Sequence, residues 1–292
     1  SSAGRGGHWS REQIDMSFLQ AFDADVKISA HSITQNLWIL ENANLDAKLK
    51  NGVLNISDLS ANMFGGKAAM NGTIRAGAGV SDPLSVDAKV SATNVNARSA
   101  MSAAMGASSD TISGTLTNMD VSLNATGTSQ STLVQTLSGK GALTGTDLIV
   151  KGVDAAQLAM AAKGSYKPLE RAGSLFDSFG KGQTEFSEFN SDFVIQSGIV
   201  NFTKIYSDGP KATLTSTGNV NLPQWSVDLK NSMTVKDTDL PPFDFTVRGP
   251  LDNPTKAGGS LINNYLQNKL QKNVNKFLEN KLGKFLGAPA ET

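Results

Sequence analysis

Alternation of apolar and polar residues at every second position dominates this chain. Residues 84–90 are typical, because Leu84, Val86 and Val90 are separated by polar side chains. Side chains on a β-strand point alternately to opposite faces, so each alternating run predicts a strand with one apolar and one polar face. A sheet that is wet on one side is typical of antiparallel pairing. Similar runs occur at 26–30, 45–49, 121–125, 225–229 and 243–247.

These runs predict a mainly β fold, a long antiparallel sheet. Glycine is abundant, with 28 residues, and glycine within strands permits the bending that curls a sheet. The dipeptides Asn51-Gly52 and Ser197-Gly198 lie between alternating runs and predict tight hairpin turns.

Three sequence blocks occur twice in the same order, with apolar positions matching apolar positions and turns matching turns. We interpret them as two copies of a four-strand meander, near 43–95 and 186–235, within one sheet domain of residues 1–256. The paired blocks are 52–57 with 198–203, 71–74 with 217–220, and 85–89 with 226–230.

A few short helices are expected between the strands. Ser10 and Gln13 have the spacing of a capping box before Ile14 and Phe18. Gly139 and Gly164 supply helix stop signals, and Pro168 suits the first turn of a helix. The expected helices are 97–105, 130–138, 155–163 and 168–176. The last three are candidates to fill the apolar side of the sheet.

Residues that usually carry chemistry are sparse. The chain has no cysteine and only two histidines, His8 and His31, and it contains no catalytic or nucleotide-binding motif. The pairs Asp23/Asp25 and Asp237/Asp239 lack the oxygen density that calcium requires. Basic and acidic residues balance at 26 each, so nothing global attracts nucleic acid. We therefore expect no enzyme, no cofactor and no metal site.

The C-terminal tail, residues 257–292, differs from the rest of the chain. Residues 260–287 are helix-like, amphipathic and basic, which is typical of a helix that lies on a membrane or docks on a partner. A helix that caps the sheet edge explains the pattern equally well. Because the apolar stripe drifts around the helix, we expect a bend, a break near 270–274, or two different surfaces served by its two halves. The residues expected to meet a membrane or partner are Lys276, Phe277, Leu278, Lys281, Leu282, Lys284, Phe285 and Leu286.

Five blocks, taken in order, give the chain a resemblance to the AsmA family over nearly its whole length, corresponding to the C-terminal half of that family. The most specific block is Val247-Arg248-Gly249-Pro250-Leu251-Asp252-Asn253-Pro254. The others are Trp9-Ser10 with Ile14-Asp15 and 23–25, Gly52-Val53-Leu54 through 63–67, 137–141 with 152–154, and 184–186 through 193–198.

The resemblance implies a protein of the Gram-negative envelope that faces the periplasm and supports outer-membrane assembly and lipid homeostasis. Members are similar to bridge-like lipid-transfer proteins, whose curled sheet forms an apolar trough for phospholipid. No apolar run is long enough to span a membrane, so an inner-membrane anchor is expected upstream of these residues.

The resemblance and the alternation together nominate the apolar strand positions as a lipid groove. The alternative is a non-conducting scaffold or regulator of outer-membrane protein assembly, in which the protein's own side chains fill the same sheet. The groove candidates are Val26, Ile28, Leu45, Leu49, Val86, Val90, Val121, Leu123, Trp225, Val227, Leu229, Phe243 and Phe245.

Overall fold

The computed structural model describes residues 8–79, 81–105, 112–163 and 179–258. These residues form one antiparallel sheet of thirteen strands, in which each strand pairs with its chain neighbours and the sheet is not closed into a barrel. The mainly β prediction is confirmed. The strands are β1 Ala24–Gln35, β2 Trp38–Lys50, β3 Val53–Met63, β4 Gly66–Arg75, β5 Leu84–Asn96, β6 Ile112–Gly127, β7 Ser138–Val153, β8 Phe179–Gln196, β9 Ile199–Asp208, β10 Ala212–Asn221, β11 Ser226–Val235, β12 Phe243–Pro250 and β13 Thr255–Gly258.

Three short α-helices connect strands where the sequence predicts them. They are α1 Ala97–Met105, α2 Gln130–Thr136 and α3 Ala155–Ala162. Helix α2 ends before the predicted residue 138 because β7 begins at Ser138. Its N-cap is Ser129, which forms a capping box with Thr132. The predicted helix 168–176 lies outside the described residues.

The capping box predicted at Ser10 is wrong. No helix begins there; the nearest is a 3₁₀ helix at Ser17–Gln20. The Ser10 carbonyl instead accepts a hydrogen bond from the Ser131 amide, and Gln13 forms a β-bridge with Ser129. Backbone groups that would form hydrogen bonds within a helix at this place instead bond to residues at the start of α2. We call residues 8–20 the N-terminal strap, and the end of the sheet along which it runs the strap end.

Both glycine dipeptides form the predicted hairpin turns. Asn51 and Gly52 have φ angles of 51° and 70°, and Ser197 and Gly198 have 50° and 74°. Two-residue hairpins commonly use a type I′ turn, because its twist matches that of the flanking strands. That turn requires a positive φ at both central residues.

The two predicted copies lie within the one sheet and share an irregularity. The offset that aligns Gly52 with Gly198 also aligns Ser57-Asp58 in β3 with Thr203-Lys204 in β9. At both places two residues face one residue of the neighbouring strand, which is the definition of a β-bulge. Equivalence of the whole copies in three dimensions stays a prediction.

Pairing registers align apolar residues into rows across the sheet, on the face we call the apolar face. Row one begins at Val26 on β1 and ends at Gly249 on β12, and every member is aliphatic or glycine. Its members are Val26, Ala47, Ile56, Gly72, Ala88, Leu123, Gly139, Ile195, Val200, Val220, Val227 and Gly249.

Row two runs beside row one and is apolar until its last residue, Lys256 on β13. Its members are Ile28, Leu45, Leu59, Met70, Val90, Val121, Gly141, Phe193, Phe202, Gly218, Leu229, Val247 and Lys256.

The buried core lies at the end of the sheet opposite the strap, between α3 and the apolar face of β7 to β12. Leu158 of α3 is fully buried there, as are Phe186 and Phe243. We call this end the α3 end. The cluster comprises Ala97, Leu148, Val153, Ala155, Leu158, Ala159, Phe186, Ala212, Leu214, Met233, Val235, Leu240 and Phe243.

One long-range contact shows that this half of the sheet curls back on itself. The Lys256 ammonium on β13 donates to the Lys151 carbonyl on β7, with Nζ and O 2.6 Å apart. Along a flat sheet six strand spacings of about 4.8 Å would separate these strands by about 29 Å, far beyond the reach of a lysine. The β7–β13 half therefore bends around α3.

We expect Leu158→Ala to lower the free energy of unfolding by about 2–5 kcal/mol, because the change leaves a cavity in a packed core. Met160 on the same helix is 42% exposed, so Met160→Ala is the matched control and should cost far less. Urea unfolding followed by circular dichroism measures both. Equal losses would show that α3 does not anchor the core.

Gly139 in row one is required by backbone proximity, because a Cβ there would collide with the Ser122 carbonyl oxygen of β6. We expect Gly139→Ala to lower the free energy of unfolding by about 1–3 kcal/mol through this overpacking. Gly79→Ala is the control, since the nearest atom to its Cβ would be a side-chain oxygen of Asp82 at 3.7 Å. Thermal unfolding of the two variants would contradict this account if they melted together.

Candidate functional site

The apolar face contains most of the groove residues that the sequence predicts. Row one contains the predicted groove residues Val26, Leu123 and Val227, and row two contains Ile28, Leu45, Val90, Val121 and Leu229. Three more predicted residues lie on the same face. Phe245 pairs with Asn231, and Leu49 and Val86 belong to a third line of paired residues. That line comprises Ala24, Leu49, Leu54, Ile74, Val86 and Ala125.

The central part of this face is half-buried. Val86, Val90, Val121 and Leu123 are all of intermediate exposure, and Ile28 at the β1 edge is 55% exposed. Apolar side chains in this state are neither sealed in a core nor scattered singly over a surface. Other members of the rows are buried, among them Ala47, Ile56, Phe193, Ile195 and Val227. The accessible apolar area therefore lies on β5 and β6 and at the β1 edge, and accessible apolar area of this kind is the usual character of a binding surface.

Glycines take the place of larger side chains at several positions in the two rows. Gly72 and Gly139 lie in row one, and Gly141 and Gly218 lie in row two. A glycine in a strand marks a place where another group approaches the backbone closely. Here the neighbouring strand's carbonyl does so at Gly72, Gly139 and Gly218, so no larger residue fits at these positions of the rows.

Four predicted groove residues do not line an accessible surface. Leu49 and Val227 are buried within the apolar face, at 4% and 8% exposed, and Phe243 and Trp225 have other surroundings. Phe243 is fully buried among the side chains under α3, so it is core and not lining. Trp225 precedes β11 and lies in the β10–β11 turn with a φ of 52°. Its ring stacks on His8, with centroids 3.6 Å apart and an interplanar angle of 11°. Both side chains therefore serve packing at opposite ends of the sheet.

The N-terminal strap is a feature that sequence reasoning missed. The Trp9 indole Nε1 donates to the Leu222 carbonyl at 2.7 Å, and the Ile14 amide donates to the Thr128 carbonyl. Further along, Gln20 Nε2 donates to the Ala76 carbonyl. The strap thus runs from the β10–β11 turn past α2 to the β4–β5 connection. The only sequence signal was an apolar Trp9 within a polar stretch.

Buried polar residues separate the two apolar rows from the α3 core. Ser216 Oγ donates to Asn231 Oδ1 at 2.6 Å, and Asn231 Nδ2 donates to the Phe245 carbonyl at 3.2 Å. Ser191 Oγ reaches the Lys204 carbonyl at 3.3 Å. Within the described residues no buried side-chain nitrogen or oxygen lacks a partner. The polar side chains in this line form hydrogen bonds with one another or with backbone carbonyls, so none of them needs a polar ligand.

Lys256 places a positive charge at the end of row two. Partial desolvation lowers the pKa of its ammonium group, whose hydrogen bond to the Lys151 carbonyl is described above. The rest of the row is uncharged. A ligand lying on rows one and two therefore meets only hydrocarbon until it approaches β13.

The opposite face of the sheet is polar and mixed in charge. Lys27 and Asp46 form an ion pair at 3.2 Å, as do Arg248 and Asp228 at 2.8 Å. A shallow groove of about 680 Å³ on this face is lined by Lys89, Ser122 and Lys140 among others. Exposed ion pairs of this kind contribute little to stability, and the face reads as a solvated surface.

No centre for chemistry emerges from the described residues. They contain no cluster of three or more His, Asp or Glu side chains able to hold a metal ion. His8 is stacked on Trp225, and His31 lies exposed on β1. Among these same residues no helix is both long and apolar enough to cross a membrane. The predicted tail residues between Lys276 and Leu286 lie outside the described part of the chain.

Comparison with known proteins gives one match. The model of the AsmA family matches residues 1–205, which is more than two thirds of the 292 residues. The block 247–254, on which the resemblance drew most, lies beyond the matched residues. No curated protein and no solved structure was found to match. AsmA is not a known enzyme family, and its members are associated with the cell envelope. By the family match, this chain is a member of the AsmA family.

Proposed function

We propose that this chain is a periplasmic module that binds phospholipid on its apolar face and conducts it between the inner and outer membranes. Membership of the AsmA family is consistent with an envelope or lipid-related role. The observation that carries the proposal is the pair of apolar rows, which continue without a charged side chain from β1 to β12.

The dimensions of the apolar face suit acyl chains. Twelve strands at about 4.8 Å give a strip about 53 Å long. Neighbouring rows on one face of a strand are about 7 Å apart, so two rows with their flanks are wide enough for the two acyl chains of a phospholipid. The strip runs across the strands, and it passes beside the α3 core instead of through it.

The energetics explain why no catalytic residue is needed. Each methylene of an acyl chain that enters water costs about 0.8 kcal/mol, so the barrier to moving a lipid through water is large. A surface that keeps the chain against hydrocarbon removes that cost at every position along the route. Uniform binding along the strip is then useful, because a single strong site would trap the lipid.

Family membership supports the proposed location. An envelope protein with an open apolar strip on one face and a polar opposite face can lie in the aqueous periplasm while keeping lipid out of water. We propose that a membrane-anchoring segment outside these residues holds it to the inner membrane, and that the basic tail meets a membrane surface or an outer-membrane partner. No cofactor and no nucleic acid enter this scheme.

A second candidate function is a non-conducting scaffold or regulator of outer-membrane protein assembly. The observation that favours it is the α3 core, since the protein's own side chains fill the apolar face of β7 to β12 at the α3 end. The two candidates differ in what the remaining half-buried rows contact. If they contact only protein, no lipid should accompany the purified chain.

Photocrosslinking distinguishes the two faces of the sheet. We expect a photoreactive amino acid at Leu123, in row one, to form adducts with a radiolabelled phospholipid, because its side chain lies on the apolar face. The same amino acid at Ser122 points to the polar face and is the matched control. Mass spectrometry of the adducts identifies the lipid, and we expect labelling at Leu123 to exceed that at Ser122 at least tenfold.

A charge in the strip should interrupt binding. Leu123→Asp places a carboxylate among row-one residues, and we expect it to lower co-purifying phospholipid severalfold, whereas Ser122→Asp should leave it unchanged. Circular dichroism checks that both variants fold. Equal lipid content in both, or equal crosslinking from the two faces, would rule out the apolar face as the lipid site and leave the scaffold as the better account.

A further inference from the structure

The hairpin tip formed by the β1–β2 turn exposes an unusual concentration of large apolar side chains. Ile33 is 48% exposed, Leu37 47%, Trp38 39% and Ile39 50%. These four residues lie within seven positions of one another. By contrast, the described aromatic residues Phe186 and Phe243 are almost fully buried. We define Ile33, Leu37, Trp38 and Ile39 as the apolar tip.

The tip projects beyond the body of the sheet. Residues 38–40 of β2 pair with β1, but pairing of β2 with β3 begins only at Glu41. Three residues of strand extend about 10 Å. The ring of Trp38, at the outer end of this segment, packs against Phe64 of the β3–β4 turn, with centroids 5.3 Å apart. The β3–β4 turn therefore braces the segment on one side, while Ile33, Leu37 and Ile39 stay about half exposed.

Charge is absent from this part of the chain. Between Lys27 and Glu41 the sequence contains no Asp, Glu, Lys or Arg. Glu41 is four residues from Leu37, about 13 Å back along the strand. The uncharged length is thus comparable to the 5–10 Å by which membrane-surface elements enter the boundary between headgroups and acyl chains.

Each face of the tip carries an exposed apolar side chain, and this favours a bilayer over a protein as its occupant. Ile33 and Leu40 pair on one face, and Ile39 pairs with Thr34 on the other. A protein groove contacts one face of a hairpin and leaves the second in water, while a bilayer surrounds an inserted tip on every side. Tryptophan is also enriched at membrane interfaces, where its ring lies at headgroup level.

We propose that the β1–β2 tip is a membrane-docking element that inserts Leu37, Trp38 and Ile39 into the interface of a lipid bilayer. This surface is distinct from the apolar rows and from the basic C-terminal tail. Because it lacks cations, the tip binds by hydrophobic insertion and does not need anionic lipid. It would hold the β1 side of the sheet against a membrane surface.

A fluorescent label at the tip tests the proposal with a readout that the tail cannot mimic. The chain has no cysteine, so Leu37→Cys in the full chain can be labelled uniquely with an environment-sensitive NBD dye. Phosphatidylcholine vesicles at high salt suppress electrostatic binding by the tail. We expect the NBD emission to rise severalfold and shift to the blue, and brominated phosphatidylcholine to quench it.

Asn253→Cys, in the exposed β12–β13 turn, is the matched label site and should show no change. Equal changes at both sites, or none at Leu37, would overturn the proposal. A change at Leu37 that appears without vesicles and grows with protein concentration would assign the tip to a second copy of the chain, which also overturns it.

Vesicle flotation supplies an independent measurement. We expect Leu37→Glu combined with Ile39→Glu to lower the partition coefficient about tenfold or more, since two large apolar side chains no longer leave water. Phe22→Glu is the control, because Phe22 is 52% exposed outside the tip. Unchanged flotation of the double variant would overturn the proposal. Lipid crosslinking at Leu123 tests the conducting strip separately, so either idea can fail alone.

Discussion

Strand register is the constraint on which the rest of this structure depends. Side chains alternate between faces, so a slip of one residue would turn a strand's apolar residues toward water. In β3 the alternation does slip, and the bulge at Ser57-Asp58 absorbs it, so that Leu59 and not Asp58 faces Leu45. The bulge at Thr203-Lys204 brings Ile205 opposite Ser191 in the same way. The bulge in β3 lies between Ile56 of row one and Leu59 of row two, so both rows stay on one face of β3 because this irregularity restores the register.

The features of the fold that could be predicted from the sequence are those that depend on a local pattern of residues. Alternation predicted the strands and their faces, the two glycine dipeptides predicted two hairpins, and the stop signals at Gly139 and Gly164 predicted the ends of α2 and α3 within two residues. These features are decided by neighbours along the chain, where backbone geometry and side-chain direction are tightly linked.

Features that depend on contacts between distant residues could not be read from the pattern. Phe243 has the alternation of a groove residue, but Leu158 and the other residues under α3 bury it. Trp225 continues an alternating run, yet the turn before β11 and the ring of His8 determine its place. Ser10 has the spacing of a helix cap, but its carbonyl is bound by Ser131. In each case a long-range partner outweighs the local preference.

The two halves of the sheet divide its work. The β7–β13 half carries α3, most of the buried cluster under α3 and the closing contact of Lys256. The β1–β6 half has half-buried apolar residues and the exposed tip, so it supplies most of the accessible apolar surface. A function spread over such a surface has no single indispensable residue, and single substitutions on it should reduce activity by degrees.

The meander order has a consequence for how such a molecule can change in size. Because each strand pairs with its chain neighbours, inserting or deleting one hairpin adds or removes about 10 Å of sheet and leaves every other register intact. The shared bulge in β3 and β9 fits an origin by copying such units. The number of hairpins in a protein built this way sets how far its sheet extends, and so how wide a space it can cover.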